Sequence, residues 1–133
     1  MTPAVTEMER LELRAPASPA AVPGMRRAVV DFAELHGVGH PPDVALAVSE
    51  AVTNAVLHGY RDGASGDVRV VACAEPARLV VVVRDYGTGM RPHPNSPGLG
   101  LGLSVIGRLT TEMNIERPDA GGGTRLRMHF ANP

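Results

Sequence analysis

The stretch Val44 to Tyr60, VALAVSEAVTNAVLHGY, restricts the fold of this chain more than any other segment. Val, Ala and Leu recur in it at helical spacing, so an amphipathic helix is expected. Pro41-Pro42-Asp43 suits the helix start, because a first turn has no use for the N–H that proline lacks. Gly59 suits the end, as a left-handed residue closing the last turn. Glu50, Asn54 and His58 stand four residues apart. Each such step turns about 400°, so the three stack on nearly one face. Val48, Ala51, Val52, Ala55 and Val56 flank them, which puts part of this polar stripe at the border of the core. A buried polar group without a partner costs about 1–3 kcal/mol. A metal-bound phosphate would compensate. Plain surface placement of Glu50 and Asn54 is the competing reading, and the helix alone does not decide between them.

The chain has 133 residues, which fits a single domain spanning 1–133, with 1–6 as a loose N-terminus. A domain of this size buries roughly two thirds of its unfolded surface and needs no staple. Aromatics make up 3% and Trp is absent, so Val, Leu, Ala and Met must build the core. A net charge of -1 argues against a general nucleic-acid binder, and the few aromatics argue against base stacking. Cys73 is the one cysteine; it has no disulfide or zinc-site Cys partner and is expected to pack as a small apolar residue. No signal peptide and no apolar run of about 18 residues is visible, so a cytoplasmic location with no membrane contact is expected.

Glu7 to Arg14 reads as an edge strand. Ser18 is expected to cap a helix with Pro19 at its first position, and Met25 to Leu35 carries the stripe Met25, Ala28, Val29, Phe32 and Leu35, stopping near Gly37. Tyr60 to Asp67 is turn-rich. Val68–Ala74 and Leu79–Arg84 are β-branched strands joined at Glu75-Pro76-Ala77. Asp85 to Gly98 is a long Gly/Pro-rich loop, of a length that is usually functional in a small domain. Leu101 to Leu109 reads as a helix; Glu112–Glu116 and Thr124–Phe130 read as closing strands, linked by Arg117 to Gly123. The order β α α β β α β β does not alternate strictly. An α+β two-layer sandwich, with a mixed, mostly antiparallel sheet and helices on one face, is therefore expected over a doubly wound parallel sheet.

Two further segments complete the constellation. Val83-Arg84-Asp85-Tyr86-Gly87-Thr88-Gly89-Met90 ends a hydrophobic strand in an acid followed by two glycines. A carboxylate held there is a fixed acceptor, suited to an exocyclic amine such as that of adenine, and glycines admit close backbone approach. Gly98-Leu99-Gly100-Leu101-Gly102-Leu103 opens a helix with alternate glycines. N–H groups at a helix start, at the positive end of its dipole, attract anions and would suit a triphosphate. Neither a Rossmann fingerprint nor a Walker A loop is present. Taken singly, each segment also reads as a common turn or a glycine hinge.

In this order the segments EAVTNAVLHGY, DYGTG and GLGLGL resemble the N-box and the two glycine boxes of the Bergerat-fold (GHKL) ATP-binding family, over about Val44 to Phe130. Within that family, EAVTNAVLHGY and the short segment between Gly89 and Gly98 look like the anti-sigma factor serine kinases. The resemblance implies ATP and Mg²⁺ as ligands, with residues 85–98 as adenine loop and ATP lid. It implies that Asn54 coordinates Mg²⁺, that Glu50 is the general base, and that Asp85 reads adenine in a pocket shaped by Gly87 and Gly89. It places Gly98, Leu99, Gly100, Leu101 and Gly102 beside the phosphates, and Thr124, after a glycine cluster, beside the adenine with Asp85.

The activity so implied is that of an ATP-dependent protein-serine kinase and anti-sigma factor. It would hold a sigma factor and phosphorylate an anti-anti-sigma (STAS) protein, as a homodimer without direct nucleic-acid contact. The alternative is an ATP-binding regulatory module without kinase activity; a histidine-kinase catalytic domain acting in trans ranks below both. His58 is expected to cap or pack. His36, His40, His93 and His129 show no ligand spacing and are expected at the surface or in loops. Arg91 lies in the lid segment, and Tyr60 and Tyr86 are expected to pack.

Overall fold

The computed structural model describes residues 9–60, 66–87, 97–118 and 122–132; over 97–101 it describes the backbone alone. The elements follow the expected order: β1 (Glu9–Pro16), α1 (Ala21–His36), α2 (Pro41–His58), β2 (Asp67–Glu75), β3 (Arg78–Asp85), α3 (Pro97–Leu109), β4 (Glu112–Glu116) and β5 (Thr124–Ala131). The five strands form one sheet in the order β1-β2-β3-β5-β4, and every neighbouring pair is antiparallel. α1 packs on β1 and β2, α2 on β2 and β3, and α3 against α2. This is an α+β sandwich of two layers.

Period-two patterning turns one face of each strand to the helices. On β2, Val68, Val70 and Ala72 are buried, while Arg69, Val71 and Cys73 face the other way and are half-buried. The central strand β3 contributes Leu79, Val81 and Val83, and β5 contributes Leu126, Met128 and Phe130. Opposite them lie Met25, Val29 and Ala33 of α1, the Val44, Ala47, Val48, Ala51, Val52 and Ala55 stripe of α2, and Ile106 of α3. The core is thus almost wholly aliphatic, with Phe130 its one buried aromatic ring among the described residues, as the scarcity of aromatic residues requires.

Several local expectations are corrected. α1 starts at Ala21, with Ala20 rather than Ser18 in the cap position; Ser18 and Pro19 instead form a turn whose carbonyls accept from the Ala21 and Val22 N–H groups. Leu35 is 78% exposed, because it falls off the Met25-Val29-Ala33 stripe. Gly37 closes α1 with φ 63°, a left-handed conformation that glycine adopts without strain. Gly59 closes α2 with φ -72°, so it is not left-handed as expected. α3 begins at Pro97, four residues early, so Gly98 and Gly100 lie inside the helix rather than before it. His129 is 8% exposed on β5, between Val80 of β3 and Glu112 of β4, and is no surface histidine. Cys73 is free and half-buried.

Candidate functional site

The site is built along α2. Proline at the helix start fixes where the helix begins, and its apolar stripe sets how it lies on β2 and β3. Rotation about the helix axis is then fixed, and Glu50 and Asn54 face α3. Glu50 is half-buried and Asn54 is 4% exposed. A methyl group added to Gly102 would lie 3.0 Å from Asn54 Nδ2, 3.1 Å from Asn54 Oδ1 and 3.3 Å from Glu50 Oε1. The backbone of α3 therefore closes against both side chains, at a position where a Cβ would crowd them. Asn54 Nδ2 has no hydrogen-bond partner among the described residues. Leaving such an atom buried is costly unless a ligand or water meets it.

Asp85 forms the second half of the site. It is the last residue of β3, opposite Val68 on one side and Thr124 on the other, and it is fully buried. Its Oδ1 accepts a hydrogen bond from the Gly87 N–H at 3.0 Å, and the Thr124 backbone N–H donates to the same carboxylate. Its Oδ2 is buried and has no partner among the described residues. Burial raises its pKa above the usual carboxylate range, against the lowering effect of those two N–H groups and of Arg84. An open, buried acceptor with a fixed position suits an amine donor from a flat ring.

Glycines make room for that carboxyl group. A Cβ on Gly59 would stand 2.7 Å from Asp85 Cγ and 2.6 Å from the Ala55 carbonyl oxygen. This is why Gly59 is glycine although its backbone is right-handed: the need is space, not a positive φ. Gly87 packs its Cα on the Gly59 carbonyl, and Gly123, at φ 79°, packs on the Asp85 carbonyl. Gly59 follows Asn54 on the same helix by five residues, a rise of about 7.5 Å. α2 thus carries one end of the site at Glu50 and Asn54 and the other at Gly59.

Tyr60 and Tyr86, expected to pack, do more. The Tyr86 N–H donates to Tyr60 Oη at 2.8 Å, and Tyr60 Oη donates to the Asp67 carbonyl at 2.7 Å. The Tyr86 ring lies outside the sheet, with the Arg84 guanidinium 4.5 Å and that of Arg14 5.3 Å from its centre. Each such cation–π contact at an exposed site is worth about 0.5–1 kcal/mol. The hydroxyl relay left no signal in the sequence beyond the tyrosine following Gly59.

Among the described residues, Glu50, Asn54 and Gly102 come together, and Asp85, Gly87 and Thr124 come together. Gly98, Leu99, Gly100 and Leu101 lie in the first turns of α3. Gly89, Arg91 and His93 lie outside the described residues. A separate concavity of about 290 Å³ opens on the far face of the sheet, lined by Arg10, Arg69, Arg84, Arg125 and Arg127 over Val71, Val80 and Val82. Four of those arginines already pair with acids: Arg10 and Arg69 with Glu12, Arg125 and Arg127 with Glu116. No helix among the described residues is long and apolar enough to cross a membrane.

The family model of the histidine kinase-like ATPase domain matches residues 15–130. The chain belongs to this family. The match embraces every residue of the two clusters just described. This ATPase-family chain is also similar to the anti-sigma F factor of Clostridium acetobutylicum, 35% identical over 97 residues that cover 65% of this chain and 66% of that protein. It is similar to the serine-protein kinase RsbW of Bacillus licheniformis, 35% identical over 92 residues, 68% of this chain and 58% of that protein. The anti-sigma F factor of Bacillus subtilis is 27% identical over 101 residues, 67% of this chain and 69% of that protein. The chain thus spans about two thirds of the anti-sigma F factors and less of the kinase.

Proposed function

We propose that this chain is an ATP-dependent protein-serine kinase that also acts as an anti-sigma factor, holding a sigma factor and phosphorylating an anti-anti-sigma protein of the STAS type. The observation that carries this reading is the placement of two functional clusters along α2: Asn54 and Glu50 against Gly102, and the buried Asp85 carboxylate against Gly59. Similarity to proteins named anti-sigma F factor and serine-protein kinase supports the partner class. A cytoplasmic homodimer is part of the proposal.

The open Oδ2 of Asp85 accepts from the adenine amine, and Thr124 and Gly87 hold the carboxylate still. Gly89, Gly98, Leu99, Gly100 and Leu101 belong to the proposed nucleotide pocket with Gly102. Among the described residues no group of three His, Cys, Asp or Glu side chains can hold a metal. Mg²⁺ would be held by the Asn54 amide oxygen, a hard ligand, together with phosphate oxygens and water; when bound it neutralises charge that builds up on the phosphoryl oxygens. Glu50 takes the proton from the attacking serine hydroxyl, help worth about 10²–10⁴ in rate. Being half-buried beside Gly102, it is within reach of a partner's side chain and shielded on its inner side.

The test is to mix the protein with Mg-ATP and candidate STAS proteins and follow phosphoserine. Glu50→Gln is expected to keep ATP binding and lose transfer. Tight ATP binding with no transfer to any candidate would remove the kinase and leave a nucleotide-dependent binding module.

A further inference from the structure

The structure assigns Tyr60 a task of its own: we propose that its hydroxyl is a positioning group for base recognition, spliced into the sheet to set the Asp85–Gly87 corner. The inference rests on the nucleotide-site reading above. The β2–β3 ladder pairs Glu75 with Arg78 at one end and Val68 with Asp85 at the other. The next rung would join Asp67 to Tyr86. That rung is not a direct backbone bond. The Tyr86 N–H reaches Tyr60 Oη at 2.8 Å, and the hydroxyl hands its own proton to the Asp67 carbonyl at 2.7 Å.

A phenol is both donor and acceptor, and here both capacities are used. Burial raises the pKa of Tyr60 from its ordinary 10.0, and a phenol stays protonated at neutral pH in any case. The inserted hydroxyl holds the two strand ends apart, and β3 leaves the sheet at the residue after Asp85. The ring completes the corner. Its Cδ1 lies 2.7 Å from where a Gly87 Cβ would be, and its Cε1 lies 2.6 Å from where a Gly66 Cβ would be. Tyr60 therefore packs on Gly66, just before β2 begins, and on Gly87, two residues past the carboxylate. Phenylalanine would fill the same volume and leave the Tyr86 N–H and the Asp67 carbonyl facing each other across a gap.

The experiment compares the full-length protein with Tyr60→Phe by calorimetric titration of Mg-ATP and Mg-inosine triphosphate. The two nucleotides share sugar and phosphates, and inosine lacks the exocyclic amine that Asp85 reads. Tyr60→Phe is expected to weaken ATP about tenfold, the effect of about one buried hydrogen bond, and to leave inosine triphosphate within about twofold of wild type. With a protein substrate, KM for ATP rises and kcat at saturating ATP holds. Equal weakening of both nucleotides, or no change in either, overturns the proposal. Wild-type protein that binds neither nucleotide overturns the site reading itself, and the proposal with it. Amide exchange in the unmodified protein gives a check independent of the variant. The Tyr86 N–H is expected to exchange as slowly as neighbouring strand amides, and rapid exchange would show that the hydroxyl does not hold it.

Discussion

Exchanging Asp85 for asparagine keeps the outline of the side chain while removing its charge and one acceptor. The asparagine oxygen can still accept from the Gly87 N–H, now 3.0 Å from Asp85 Oδ1. The amide nitrogen then takes the position of Oδ2, which is buried and has no partner among the described residues. A donor replaces an acceptor at the point where the base amine would arrive. Loss of one hydrogen bond to a charged group removes about 1.5–3 kcal/mol. At 1.4 kcal/mol per tenfold, ATP should bind roughly 10- to 150-fold more weakly. The free protein responds in the other direction. Burial raises the Asp85 pKa above its ordinary 3.8, so the native state holds this proton more tightly than the unfolded chain. Stability is therefore lost as pH rises from 3.8 through the raised native value, and the full penalty stands above it. Asparagine carries no such penalty. Asp85→Asn should unfold at or above the wild-type temperature at neutral pH, and the difference should vanish at pH below 3.8. Calorimetric titration with ATP and thermal unfolding followed by circular dichroism across pH check both halves. A folded variant with wild-type ATP affinity would refute the assignment. A large fall in unfolding temperature at neutral pH would make Asp85 structural instead.

Gly59→Ala should cost about 1–3 kcal/mol in stability through overpacking and reduce ATP binding as well, because the new methyl meets Asp85 Cγ at 2.7 Å. Gly24→Ala, on the exposed side of α1 with nothing within 4 Å of its Cβ, is the control and should be neutral or stabilising in the same unfolding assay. Gly102→Ala places a methyl 3.0 Å from Asn54 Nδ2 and 3.3 Å from Glu50 Oε1. It should abolish most of the gain in ATP affinity that Mg²⁺ provides, read by titrating with and without the metal.

Much of the architecture was legible because it follows from periodicity. The Val runs of β2 and β3, the turn at Pro76-Ala77 and the apolar stripe of α2 leave few ways to lay helices on a sheet. Spacing and nearby glycines singled out Glu50, Asn54 and Asp85 as candidates, and the structure adds that Glu50 and Asn54 meet at Gly102 and that Asp85 is buried beside Gly59. What the sequence hid depends on tertiary neighbours. Gly59 reads as a helix stop, and only the arrival of Asp85 shows that it is kept small for space. His129 reads as a polar residue on a strand, and its burial depends on strands on both sides, β3 and β4. The Tyr60 relay joins the residue after Gly59, Asp67 of β2 and Tyr86 just past β3, and no local pattern encodes such a meeting. The early start of α3 reflects glycines that tolerate a helix when packing against α2 supports it.

The most direct measurement is a calorimetric titration of the wild-type protein with ATP, with and without Mg²⁺, repeated on Asn54→Ala. Saturable one-site binding that tightens with Mg²⁺ is expected in the wild type, and a binding curve that no longer responds to the metal in Asn54→Ala. Absence of heat with ATP, or a metal response that survives the loss of Asn54, would contradict the proposed site.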